Sequence, residues 1–142
     1  MKIKLVFSVM AAILVLSLLA CGPAGKEMPL QATYNDFMQQ KSQARNITMT
    51  SRDVVKITLP SNASTGFRWE LTGISDMAVL TQDGVSEYVL PESSTVVGDY
   101  GQEIWTFKPL QRGTSIISLV YSQAWAGGTK AEWTIKIEVK VR

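Results

Sequence analysis

Residues Leu59 to Leu71 read L-P-S-N-A-S-T-G-F-R-W-E-L. Before this stretch, Val55, Ile57 and Leu59 alternate with Lys56 and Thr58. At its end, Phe67, Trp69 and Leu71 alternate with Arg68 and Glu70. A period of two marks each run as a half-buried strand. The residues between, Pro60 to Gly66, are turn formers. Proline presets φ, asparagine bonds its own backbone, and glycine reaches positive φ without steric cost. A short polar loop is thus held between two stiff strands, which suits a binding contact.

Outward from this loop, short strands alternate with turn signals. Residues 47–50 form a first strand, 54–59 a second and 67–72 a third. Residues 77–82 and 85–90 flank Asp83 and Gly84, a tight-hairpin signal. Residues 91–100, rich in Ser, Thr and Gly, read as a long loop, followed by a strand at 102–108. Residues 114–122 are apolar with little alternation and read as a central strand. Residues 130–141 alternate most cleanly, with Trp133, Ile135, Ile137, Val139 and Val141 facing in. Seven or eight strands with no strong helical period imply an all-β fold, a β-sandwich or a barrel. Trp69, Trp105 and Trp133 fall on inward phases and read as core.

Composition narrows the function. A chain of 142 residues suits one domain once its ends are set aside. Two of the fourteen basic residues, Lys2 and Lys4, precede residue 21 and no acid does. The remainder is balanced in charge, which gives no reason to expect a nucleic-acid partner. The chain has no histidine. That excludes Ser-His and Cys-His nucleophile pairs and removes the commonest metal ligand. Its single cysteine, Cys21, makes neither an intramolecular disulfide nor a usual zinc site. Asp99 and Glu103 read as solvated charges rather than an acid–base pair. No enzyme, cofactor or metal is expected.

The amino terminus reads as a leader. Lys2 and Lys4 precede a mostly apolar run at 5–20, short for a membrane span and fitting for secretion. It ends in Leu18-Leu19-Ala20-Cys21-Gly22, which resembles the bacterial lipobox. That resemblance implies cleavage before Cys21, acylation of Cys21, and a lipid anchor in a bacterial envelope, periplasmic or on the outer surface. Residues 21–45, with Gly22, Pro23, Gly25 and Pro29, are expected to be a tether reaching roughly 25–30 Å. A short helix at 34–42 is the one regular element it suggests. The folded domain is then 46–142, and nothing in the strand pattern calls for more than a monomer. The sequons at Asn46 and Asn62 are incidental on a bacterial lipoprotein.

Three loops stand out as candidate contacts. The first is Asn62 to Phe67. The second is Gly98-Asp99-Tyr100-Gly101, just before a strand. The third runs from Ser122 to Gly128, with Trp125 off any strand phase. A large aromatic in a glycine-rich loop points to binding. In order and spacing the three loops resemble the chagasin family of cysteine-peptidase inhibitors over residues 47–141. The family's first motif, Asn-Pro-Thr/Ser-Thr-Gly-Tyr/Phe with Trp shortly after, is matched by Asn62, Ser64, Thr65, Gly66, Phe67 and Trp69, with Ala63 replacing Pro. Its glycine-rich second turn is matched by Gly98 and Gly101. Its Arg-Pro-Trp is matched only at Trp125, with Gln123 and Ala124 in place of Arg and Pro.

The resemblance implies an immunoglobulin-like sandwich that blocks papain-like peptidases with three loops at one end. Thr65 and Gly66 would cover the catalytic pair. The second and third loops, including Asp99, Tyr100, Gln123 and Trp125, would grip the cleft. Losing the Pro at Ala63 implies a looser first loop, by about 0.4–1 kcal/mol. Losing the Arg at Gln123 implies a lost contact of about 1.5–3 kcal/mol if buried. The alternative is an envelope binding or assembly module of the same fold with no peptidase target.

Overall fold

Two inner faces of alternating apolar side chains close on each other to make the core. The computed structural model describes residues 25–90 and 100–142. Its elements are β1 (Glu27–Gln31), α1 (Tyr34–Gln39), β2 (Ser42–Met49), β3 (Val54–Ser61), β4 (Phe67–Ile74), β5 (Leu80–Gln82), β6 (Glu87–Val89), β7 (Gly101–Pro109), β8 (Gly113–Gln123) and β9 (Trp133–Val141). One sheet is ordered β1-β3-β7, with β5 and β6 both paired to the far edge of β7. The other is ordered β2-β9-β8-β4. Val55, Ile57, Leu59 and Phe107 from the first sheet are fully buried with Ile117, Leu119, Ile135, Ile137 and Val139 from the second. This is the immunoglobulin-like sandwich, and of sandwich and barrel it is the sandwich. Trp69, Trp105 and Trp133 lie in its core.

Three expectations need correction. The tether expected over 21–45 is not one from residue 27 onward. β1 pairs in parallel with β3, from Glu27 opposite Val54 to Gln31 opposite Thr58. β2 pairs in parallel with β9, from Ser42 opposite Thr134 to Met49 opposite Val141. Between them α1 is fixed by a Thr33–Asp36 capping box and by Phe37, which is fully buried. Second, the two segments around Asp83-Gly84 do not pair with each other. β5 pairs with β7 at Phe107 to Pro109 and β6 pairs with β7 at Gln102 to Ile104. Third, β8 is central but does alternate: Ser115, Ile117, Leu119 and Tyr121 are buried while Ile116 is exposed.

The register gives the sandwich two unlike ends. At one, which we call the rim, Ser61 lies opposite Gly101, Phe67 opposite Gln123, and Tyr121 opposite Trp133. At the other, the pole, Val54 lies opposite Glu27, and Gly113 opposite Val141. Eight residues of β3 separate the ends, roughly 25 Å at the usual strand rise.

Candidate functional site

The first loop crosses from one sheet to the other at the rim, and buried polar bonds fix its base. Pro60 carbonyl oxygen accepts from Trp69 Nε1 at 2.9 Å. Ser61 Oγ donates to Glu103 Oε1 at 2.7 Å, and the same oxygen accepts from Trp69 N at 3.2 Å. Asn62 N donates to Tyr121 Oη at 2.7 Å. Ser61, Asn62, Trp69, Glu103 and Tyr121 are all buried. Burial pushes the Tyr121 hydroxyl above its ordinary range, outweighing the Asn62 bond, which pulls it down. Tyr121 therefore stays neutral through physiological pH. Glu103 is thus not the solvated charge the sequence suggests. It sits on the inward phase of β7 with Trp105 and Phe107, and it ties the two sheets together.

The tip of the loop is a single 3-10 turn, Ala63–Thr65. Asn62 Oδ1 accepts from Ser64 N at 3.2 Å and Ser64 Oγ at 2.6 Å. Asn62 carbonyl oxygen accepts from Thr65 N and from Thr65 Oγ1 at 2.7 Å. Gly66, at φ +75°, closes the turn in the left-handed region, its N–H donating to the Ala63 carbonyl. The short polar side chains do the stiffening expected of the missing proline. Ser64 and Thr65 remain exposed. The hydroxyl hydrogen of Thr65 is committed inside the loop, so Thr65 offers an outside partner its methyl group and lone pairs.

The third loop lies against the first. The Trp125 ring covers Gly66 so closely that a Cβ there would stand 2.2 Å from Cζ3 and 2.3 Å from Cη2. Even so, Trp125 is 50% exposed. Gln123 joins the loops: its Nε2 donates to the Thr65 carbonyl at 3.1 Å and its Oε1 accepts from Thr129 N at 2.9 Å. Lys130 Nζ donates to the Gln123 carbonyl and, at 3.2 Å, to that of Trp125. Phe67 stacks on Tyr121 with centroids 5.1 Å apart.

Of the second loop, Tyr100 and Gly101 are described, and Gly101 lies at the same rim, opposite Ser61. Gly98 and Asp99 lie outside the described residues. Tyr100 packs on Tyr34 of α1, centroids 4.5 Å apart, and faces Trp133 at 6.1 Å. Burial and the neighbouring Tyr34 raise its pKa. Gly101 is buried at the start of β7 against Tyr88, at the base of the loop. The structure thus brings Asn62, Ser64, Thr65, Gly66, Phe67, Tyr100, Gln123 and Trp125 to one end. Sequence reasoning misses the supporting residues Ser61, Glu103, Tyr121 and Lys130, and Tyr34 on the rim. The inward phase of Glu103 between Gly101 and Trp105 is the signal that could have found one of them. Asn62 is too buried to carry a glycan. Among the described residues no cluster of acids or thiols forms a metal site.

A rigid sandwich presenting a stiff polar loop beside an exposed tryptophan has the form of a protein that binds by insertion. The chain belongs to the chagasin family: the model for "Chagasin family peptidase inhibitor I42" matches residues 48–139. It is 30% identical over 106 residues to Amoebiasin-2 of Entamoeba histolytica, covering 75% of this chain and 85% of that protein. Its fold resembles the crystal structure of the cysteine protease inhibitor EhICP2 from Entamoeba histolytica, with a TM-score of 0.65, 24% identity, and 85% and 100% of the two chains covered. It also resembles PbICP-C as solved in complex with falcipain-2, with a TM-score of 0.54, 20% identity, and 83% and 100% covered. The family is one of inhibitors, not enzymes.

Proposed function

We propose that this chain reversibly inhibits papain-like cysteine peptidases by filling their active-site cleft with the three-loop rim. The observation that carries the reading is the stiff Asn62–Gly66 turn, closed by the Trp125 ring and strapped by Gln123. A groove-shaped site needs a narrow, preformed wedge, because ordering a floppy loop on binding would weaken association. The turn also explains why the inhibitor would survive. A peptidase cleaves extended chain whose carbonyls it can reach. Here the Asn62 and Ala63 carbonyl oxygens accept bonds within the turn and the Thr65 carbonyl oxygen accepts from Gln123, so these oxygens are held within the rim and the chain is not extended as a substrate is. Thr65 and Gly66 would lie over the catalytic pair, with Trp125 and Tyr100 on either side. The PbICP-C complex with falcipain-2 is the precedent for such a partner.

The second part of the reading concerns location. Cys21, in its lipobox-like setting, would be acylated and would hold a monomeric domain at a bacterial envelope membrane. Titration of papain with the chain tests the first part. Loss of activity at stoichiometric inhibitor, with Thr65→Ala/Gly66→Ala much weaker, supports it. Full activity of papain and its relatives at micromolar inhibitor would favour an envelope binding module instead. Incorporation of labelled palmitate into wild type but not Cys21→Ser tests the second part.

A further inference from the structure

The pole opposite the rim carries four exposed cations around one shallow recess. Lys26, Arg52, Arg112 and Arg142 line it with Gly25, Met28, Thr50, Ser51 and Asp53. They come from four separate segments: the approach to β1, the β2–β3 turn, the β7–β8 turn and the end of β9. None of the four forms an ion pair among the described residues; the pairs found there involve Lys41, Lys56 and Lys108. The one acid in the wall, Asp53, is turned into the protein. Its Oδ1 accepts from Lys26 N at 2.9 Å, and its Oδ2 from Thr50 N and Thr50 Oγ1 at 2.7 and 2.8 Å. Four cations against one inward-turned acid leave a positive surplus here, in a body whose bases and acids balance overall from residue 21 onward.

The chain enters the body at this pole. Gly25 is pressed so closely on Arg52 that a Cβ there would stand 1.6 Å from the Arg52 carbonyl oxygen. Cys21 is four residues earlier. Whatever their conformation, four residues reach at most about 14 Å. A lipid on Cys21 therefore brings these cations, and not the rim, to the bilayer surface. The long tether expected from the sequence is unnecessary: the sandwich is itself the spacer, lifting the rim by roughly 25 Å.

We propose that Lys26, Arg52, Arg112 and Arg142 dock on anionic phospholipid headgroups, standing the domain upright with its three-loop rim facing away from the membrane. This rests on the lipid-anchor part of the reading above. One cation near an anionic surface strengthens contact about fivefold, and the effect falls off within a Debye length of about 8 Å. Four cations held there by a covalent anchor are enough to choose an orientation.

The test uses the full chain, reconstituted in vesicles of phosphatidylcholine alone or with phosphatidylglycerol added. Retention is followed by flotation and limited trypsin cleavage by mass spectrometry. The proposal expects cleavage after Arg52 and Arg112 to be at least about fivefold slower on the anionic vesicles. The difference should vanish in about 0.5 M salt, and cleavage after the rim residues Lys41 and Lys130 should be equal on both. In Arg52→Glu/Arg112→Glu, protection of Lys26 should be lost while flotation and papain inhibition persist, showing that the variant is folded. Equal cleavage of floating wild-type protein on both vesicles overturns the proposal. A chain that does not float ends it together with the anchor reading, and absence of palmitate labelling identifies that case.

Discussion

Replacing Gly66 by alanine is the sharpest probe of how the rim is built. The backbone at Gly66 has φ +75°, where an L-residue costs about 1–2 kcal/mol. The added methyl would point at Trp125, 2.2 Å from Cζ3, where carbon atoms prefer about 3.5–4.0 Å. The ring must therefore swing away by more than an ångström. A central tryptophan is commonly worth about 2 kcal/mol or more to an interface, roughly thirtyfold in affinity. Gly66→Ala should thus lower stability to urea by about 1–2 kcal/mol and raise the inhibition constant against papain at least about tenfold. The mechanism also demands non-additivity, because the methyl acts through the ring. Once Gly66→Ala has displaced Trp125, Trp125→Ala should add little. Steady-state inhibition with a fluorogenic peptide, run on both single variants and the double variant, decides this. Unchanged inhibition by Gly66→Ala, or fully multiplicative losses, would refute the reasoning.

Other consequences follow from the loop base. Tyr121→Phe leaves the buried Asn62 N–H without its acceptor and should cost about 1–3 kcal/mol in urea unfolding, with faster amide exchange at Asn62. Trp69→Phe should cost about 1 kcal/mol more than Trp105→Phe, because Trp69 Nε1 donates to Pro60 while Trp105 Nε1 is buried without a partner. At the pole, bonds from Lys26 N, then from Thr50, hold the Asp53 carboxyl below its ordinary value of 3.8. A depressed carboxyl stabilises the fold above its unfolded pKa and stops doing so as pH falls through its folded one. Acid unfolding of Asp53→Asn should therefore lack the part of the stability loss that wild type shows below the ordinary carboxylate range. Identical acid transitions would contradict that.

The sequence discloses those parts of the fold where one chain segment carries its own pattern. β3, β4 and β9 alternate apolar and polar residues; the inward sets of β3 and β9, with Trp69 of β4, are in the observed core, and Phe67 and Leu71 pack against it. In β8 the outward positions include Ile116 and Val120, so the alternation was hidden by apolar residues on both faces. The end of β2 reads as a strand at 47–50, but β1 and residues 42–46 of β2 were missed for a different reason. They are edge strands whose partners, β3 and β9, are far along the chain, and each buries little: only Met49 of β2 is fully inside, with Met28 and Leu30 of β1 partly so. Pro29 also argues against a strand, yet an edge tolerates it. The short helix α1 is held by Phe37, whose neighbours are Trp69 and Trp133, and no local period can show that. At the site, the contact loops were legible because turn residues and an off-phase tryptophan are local signals. Their supports were not, since Tyr121, Glu103 and Gln123 act across sheets or between loops. Gln123 in particular reads as a lost arginine contact, while in the structure it is the strap between Thr65 and Thr129.

Hydrogen–deuterium exchange on the chain with and without saturating papain tests the central claim most directly. Slowed exchange confined to residues 62–67, the start of β7 and residues 123–128, with the inhibitor recovered uncut, is the predicted result. Protection at the pole or along the edge of β2, or no change anywhere, would mean that the rim is not what meets the enzyme.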